Sequence, residues 1–291
     1  MSFSQSVSHR VENKGFLWLR RFIAYAVVIF MSFLSLFFIY ILFVNATRSH
    51  FQIQSGFSFL PGNYTMQNYN NVISDPNVPV LSGLANSTIV ASGCAVLSVY
   101  FSALTAYGIH TYQFKGNTPA LQFILMIMMV PTQVSALGFI NMVFKMNLKN
   151  SFLPLILPSI AAPMVFFFML QYMKGNLSVE IIEAARIDGS GEFATFNRIA
   201  LPILKPAMAV QAIFTFVTNW NNYFIPALVL EDTSKKTLPV LIAILRSADW
   251  LKFDMGKVYM MIALSILPVV VVYLCLSKYI VGGVALGSVK G

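Results

Sequence analysis

A chain of 291 residues that is 57% hydrophobic and only 10% charged falls outside the soluble globular class, where about 25% of residues are charged. Its net charge of +9 is spread without a stripe or dense cluster, which argues against nucleic acid and fits attraction to anionic lipid headgroups. Cys94 and Cys275 both fall in apolar runs, and His9, His50 and His110 stand apart from any acid or thiol at ligand spacing, so neither a disulfide framework nor a metal centre is indicated.

Six apolar runs approach or exceed the roughly 20 residues that a helix needs to cross a bilayer core: 22–44, 85–110, 119–142, 150–173, 207–230 and 258–278. No charged residue lies inside them except Lys278 at the last boundary. The fold class is therefore all-α, a polytopic membrane protein with six transmembrane helices.

In chain order, residues 1–21 form an N-terminal segment in which Arg10, Lys14, Arg20 and Arg21 precede the first run, whereas only Arg48 closely follows it. That asymmetry places the N-terminus in the cytoplasm, and six crossings return the C-terminus to the same side. The first run is longer than the 7–15 residues of a secretory signal core, so it reads as an uncleaved anchor. Residues 45–84 are rich in Asn, Ser, Pro and Gly and predict an irregular outer segment with a short helix near Met66–Val72. Short turns follow at 111–118 and 143–149, a long polar loop at 174–206, and a second long outer loop at 231–257. A transmembrane domain of 22–281 leaves 282–291 as a glycine-rich cytoplasmic tail. Pro131, Pro158, Pro163, Pro226 and Pro268 fall inside the spans, where each frees a backbone carbonyl and kinks the axis.

The 174–206 loop holds the most informative residues. Ser178 is placed to cap a short helix with Glu180 in its first turn, and Gly189 sits where a left-handed residue would stop it. Ser190 would cap a second helix ended by Pro202. Within this stretch Glu183, Ala184, Ala185, Asp188 and Gly189 are followed after nine residues by Ile199, then Leu201 and Pro202.

Two near-motifs fail. Gly282 and Gly287 have P-loop spacing, but Ser288-Val289 stands where Lys-Ser/Thr is required. Gly189-Ser190-Gly191 with Ala194 lacks the preceding strand of a dinucleotide site. No ionisable group lies mid-span, which disfavours an ion-coupled carrier. A membrane enzyme would need acid, base or metal-ligand groups converging at one depth, and none does.

The spacing E-A-A-x-x-D-G-x(9)-I-x-L-P resembles the EAA loop of inner-membrane permease subunits of bacterial ABC importers. Asn86-Ser87, Pro131, Leu157-Pro158, Trp220-Asn221 and the ending Gly287-Ser288-Val289-Lys290-Gly291 are similar to the carbohydrate, maltose-type branch and its second permease. The resemblance covers about residues 60–291. It implies the type I importer permease fold, with Glu183, Ala184, Ala185, Asp188, Gly189, Leu201 and Pro202 coupling to an ATPase. It further implies pairing with a second permease in a heterodimer, two ATPase subunits that bind the ATP, and an extracytoplasmic solute-binding protein. This chain itself would hold no cofactor. The branch's usual acidic residue after Trp-Asn is here Asn222.

Asn219, Trp220, Asn221, Asn222 and Tyr223 make the most polar cluster in any span. Amides that pair with hydroxyls, and aromatic faces that stack on sugar rings, suit a neutral carbohydrate in the translocation path. The same side chains also suit helix-to-helix hydrogen bonding. The reading is a carbohydrate (oligosaccharide) importer permease; a permease for another polar solute, such as an acidic oligosaccharide or a peptide, is the alternative.

Overall fold

The computed structural model describes residues 14–247 and 253–287, and within these it is helical with no strand. The chain begins with α1 (Lys14–Ala46), α2 (His50–Gln54), α3 (Thr65–Ile73) and α4 (Val80–Thr111). It continues through α5 (Asn117–Ile127), α6 (Thr132–Lys145), α7 (Leu153–Ile156), a 3-10 turn at Leu157–Ile160 and α8 (Pro163–Asn176). Next come α9 (Val179–Ile187), α10 (Glu192–Thr195), a π-helical turn at Phe196–Ala200 and α11 (Leu201–Trp220). The remainder is α12 (Phe224–Val229), a 3-10 turn at Thr233–Lys235, α13 (Leu238–Arg246) and α14 (Met255–Gly287).

Among the described residues, five stretches are each long and apolar enough to cross a membrane: Leu17–Ala46, Val80–Thr111, Leu153–Asn176, Glu192–Trp220 and Met255–Tyr279. The expected crossing at 119–142 is instead two helices in series, because Pro131 adopts ψ 126° and has no amide to continue the ladder of α5. The 11 residues of α5 and 14 of α6 still reach about 38 Å at 1.5 Å per residue, more than a hydrocarbon core of about 30 Å. Pro158 and Pro163 likewise divide the fourth crossing around its 3-10 turn, whereas Pro268 sits inside an unbroken α14.

The bundle is organised on α4. Its buried face is built of small residues, among them Ala91, Cys94, Ala95, Ser98, Ser102 and Ala103, so α8 and α11 pack directly along it. Polar atoms in this seam find acceptors: Cys94 Sγ donates to the Leu155 carbonyl and Ser102 Oγ to the Ala162 carbonyl, each at 3.3 Å. These carbonyls flank the proline-divided turn. One apolar core lies toward the start of α4, where Val72, Leu238, Leu241 and Met261 meet; a second lies toward its end, around Tyr107, Met169, Met173, Ile182 and Phe196.

The outer segments hold more structure than their composition suggests. Residues 231–257, expected as a loop, contain α13, with Leu238 and Leu241 fully buried. Asn86 Nδ2 donates to the Ser234 and Lys236 carbonyls (2.8 and 3.1 Å), and Ser87 Oγ accepts the Leu238 amide at 2.8 Å. Gly83 gives Leu241 room, since a Cβ there would lie 2.5 Å from Leu241 Cδ1. Asn150, held at φ 56°, ties the 146–150 turn to 229–232: its amide donates to the Val229 carbonyl and its Oδ1 accepts the Asp232 amide. Arg48, buried at the end of α1, donates to Asn45 Oδ1 and to the Gln52 and Gly56 carbonyls. Asp75 pairs with Lys257, joining the segment after α3 to α14.

The edges of several elements differ from the sequence reading. α1 and α14 extend beyond the apolar runs, and α14 reaches Gly287, leaving residues 288–291 of the expected tail outside the described residues. Cys94 is buried, whereas Cys275 is exposed on the surface of α14. α1 lies chiefly along α14, and its large apolar side chains from Trp18 to Phe43 are mostly bare, as on a helix facing lipid.

Overfilling the α4 seam is expected to be costly. Ala103, at 0% exposure, replaced by Leu should destabilise the bundle by about 1–3 kcal/mol and lower its melting temperature in detergent. Ile89→Leu on the exposed side of the same helix should leave it unchanged.

Candidate functional site: the Asp-Gly loop and the 219–223 cluster

α9 joins α8 to α10 at the end of the bundle that also holds the start of α1 and the end of α14. Ser178 is its N-cap in extended backbone, and Glu180 stands in its first turn. Hydrogen bonds from its own amide and the Ser178 hydroxyl hold the Glu180 carboxyl below its ordinary value, so the charge facing the positive helix end persists at neutral pH.

The C-terminus is a full Schellman turn. Gly189 takes φ 82°, its amide donates to the Arg186 carbonyl (3.0 Å), and the Ser190 amide reaches back to Ala185 (2.9 Å). The Asp188-Gly189 pair thus ends α9 abruptly, as its sequence suggests. The second helix departs from expectation at both ends. Gly191, not Ser190, is its N-cap, while the Ser190 hydroxyl lies 2.8 Å from Thr195 Oγ1.

Pro202 does not stop this helix. The backbone widens at Phe196–Ala200, where the Leu201 amide donates to the Phe196 carbonyl, and the proline falls just past this wider turn in the first turn of α11. Helix therefore runs from Glu192 to Trp220, and the non-membrane loop is shorter than the expected 174–206.

α9 has two faces. Ile182 is buried in the cluster with Tyr107, Met173 and Phe196, and Ala185 is buried on the same face. Glu183, Ala184, Asp188 and Gly189 are exposed, together with Ile181, Ile187 (86% exposed) and, on α10, Phe193 (68%). An apolar surface at a membrane-protein end outside the spans is unusual unless something covers it. Leu201 is half-buried and Pro202 exposed at the base of α11.

Side-chain bonds moor the loop. His110 Nε2 donates to the Leu177 carbonyl (2.8 Å), and Tyr100 donates to Asn197 Oδ1 (3.2 Å) in the π turn. Arg186 Nε and Nη2 donate to the two oxygens of Glu192 (2.7 and 3.3 Å), and the Tyr112 hydroxyl donates to Glu192 Oε2. Burial, and the Glu192 carboxylate accepting its proton, raise the Tyr112 phenol above its ordinary value, so it remains a donor at physiological pH. Sequence reading missed Tyr112 and Glu192. The signal available was an acid just past the Asp-Gly stop, six residues after a basic side chain.

The 219–223 cluster lies at the opposite end, where α11 stops. Trp220 is 3% exposed and stacks on Phe216 (5.5 Å, 19°), so its ring belongs to the core. Asn219 and Asn221 donate to carbonyls of their own helix, Thr215 and Val217 (2.9 and 3.0 Å). Asn222 is half-buried, and Tyr223 lines a cavity of about 490 Å³ with Glu231, Lys236 and Ser247. The five residues are therefore adjacent in sequence but do not share one face.

Comparison with known proteins bears on this arrangement. A family model described as the binding-protein-dependent transport system inner membrane component matches residues 98–285. The arabinooligosaccharides transport system permease protein AraQ of Halalkalibacterium halodurans is 33% identical over 251 residues, covering 80% of this chain and 88% of that protein. The trehalose/maltose transport system permease protein MalG of Thermococcus litoralis is 32% identical over 230 residues, covering 78% and 82%. The sn-glycerol-3-phosphate transport system permease protein UgpE of Yersinia pestis is 30% identical over 255 residues, covering 86% and 90%. A crystal structure of a bacterial ABC transporter involved in the import of the acidic polysaccharide alginate superposes with a TM-score of 0.77 at 20% identity, covering 96% of this chain and 99% of that one.

Trp220→Ala should open a core cavity and cost about 3–5 kcal/mol, read as a loss of thermal stability. Tyr223→Ala, on an exposed residue, should leave stability within about 0.5 kcal/mol.

Proposed function

This chain belongs to the binding-protein-dependent transport system inner membrane component family, and from that premise we propose that it forms half of the path by which an ATP-driven importer admits an oligosaccharide. It pairs with a second, different permease in a bacterial cytoplasmic membrane, with both termini on the cytoplasmic side. Two ATPase subunits bind the ATP and dock on the loop end, and an extracytoplasmic solute-binding protein delivers the sugar. This chain holds no cofactor of its own.

The observation that carries the reading is α9. It is a short helix stopped by a left-handed glycine, with Ile182 and Ala185 buried on its inner face. Its outer face presents Ile181, Ala184 and Ile187 beside Glu183. An exposed apolar helix face with an acidic flank is suited to a groove in a partner protein. Residues Asp188, Gly189, Leu201 and Pro202 act through shape, fixing where α9 ends and where α11 begins.

The similarity of AraQ and MalG supports a neutral sugar as the solute, and that of UgpE keeps a charged polyol in view as the second reading. In the path, the polar groups free to meet solute are those of Asn222 and Tyr223 and the carbonyl oxygens of the Asn219 and Asn221 amides, rather than Trp220. In the reconstituted complex, neutral oligosaccharides should stimulate ATP hydrolysis and sn-glycerol-3-phosphate should not. Stimulation by the phosphate ester alone would overturn the sugar assignment.

Docking is tested by Ile187→Asp and Gly189→Val. The first puts a charge on the apolar face. The second places a β-branched residue at φ 82°, a strain of roughly 1–2 kcal/mol. Both should reduce co-purification of the ATPase while membrane insertion persists, and intact ATPase binding in both would sink the docking role of α9. For orientation, cysteines at Ser55 and Asp232 should react with an impermeant thiol reagent from outside, and one at Ser190 only after lysis. The reverse pattern would invert the topology.

A further inference from the structure

Three helix ends meet at one carboxylate. Arg186 lies in the last turn of α9, Glu192 opens α10, and Tyr112 is the residue at which α4 ends. Glu192 receives two bonds from Arg186 and one from Tyr112, and the Arg186 guanidinium lies over the Tyr112 ring, 5.0 Å from its centre. Beneath them the Tyr107 hydroxyl is buried without a partner, and its ring packs 5.3 Å from Phe196 in the π turn.

We propose that Glu192 is the joint through which a displacement of α9 is passed at once to the bases of α4 and α11; this rests on α9 being the helix that docks the ATPase. α10 continues through the π turn into α11, so a force on Glu192 acts along the fifth crossing. Through Tyr112 the same carboxylate pulls on the second crossing, which packs along α11. The Schellman turn keeps Ser190 and Gly191 from absorbing the motion, because Ser190 is bonded both to Ala185 and to Thr195. The clamp is not a stability device. Its two charged side chains are 31% and 47% exposed, and pairs so wetted add little to folding. What it supplies is a fixed relation between three helix ends, with Arg186 and Tyr112 as positioning residues for Glu192.

The test uses the complete transporter in lipid nanodiscs, spin-labelled at Glu180 and Lys115 in a Cys275→Ala background. The distance between labels is measured without nucleotide and after trapping with ATP and vanadate. With the clamp intact the separation should be the same in both states, because α9 and the base of α4 move together. In Glu192→Gln it should become state-dependent while the complex still assembles. The charge exchange Arg186→Glu with Glu192→Arg should restore a constant separation, which a direct contact of either residue with the ATPase would not do. A separation that stays constant in Glu192→Gln overturns the joint. An Ile187→Asp complex that retains its ATPase overturns instead the docking role on which the joint depends.

Discussion

The close approach of helices to α4 is the constraint from which the rest of the bundle follows. In lipid there is no hydrophobic gain from bringing two apolar helices together, so contact area and polar bonds must supply the attraction. The run of Ala, Ser and Cys along α4 lets the neighbouring backbones come near, and Cys94 and Ser102 spend their hydrogens on carbonyls beside the proline-divided turn. Backbone breaks at membrane depth are tolerated only where protein covers them. The broken fourth crossing sits against α4 and the unbroken α1 on the bare periphery, whereas the break at Pro131 in the third crossing is left exposed by this chain.

Much of this was legible in the residues, and the exceptions have identifiable physical reasons. α9 could be read almost to the residue because its signals are local: an N-cap serine, an acid in the first turn and a glycine that only the left-handed region requires. Pro202 misled because a π turn leaves no composition signature; a missing amide usually ends a helix, yet a wider turn just before it carries the helix through. α13 is not signalled by length, since Leu238–Arg246 is too short to span, yet its nine residues carry a run of large apolar side chains that a buried helix needs. Trp220's polar neighbours suggest a ligand group, while its spacing of four from Phe216 puts both rings on one helix face.

The two ends of the molecule are built on different physics. At the α13 end, order comes from amides and hydroxyls bonding backbone across long sequence separations, with Asn86, Ser87 and Asn150 as the fixed points. At the α9 end, it comes from aromatic rings and one shared carboxylate, with an apolar face left uncovered. The first arrangement ties the segments around α13 to the start of α4 and to the 146–150 turn. The second leaves Ile181, Ile187 and Phe193 exposed outside the spans.

The pairing of α1 with α14 carries a consequence for how the molecule is made. α1 has as its chief partner α14, which lies some two hundred residues later in the chain, with Met255 at the head of α14 donating to His50 just beyond α1. During translation α1 therefore waits in the bilayer as a solitary helix, which is tolerable because a helix satisfies its own backbone in hydrocarbon. The inner helices can assemble around α4 in the meantime. The α1–α14 contact thus closes only once α14 has been made, and until then α1 is an anchor with its chief partner still missing.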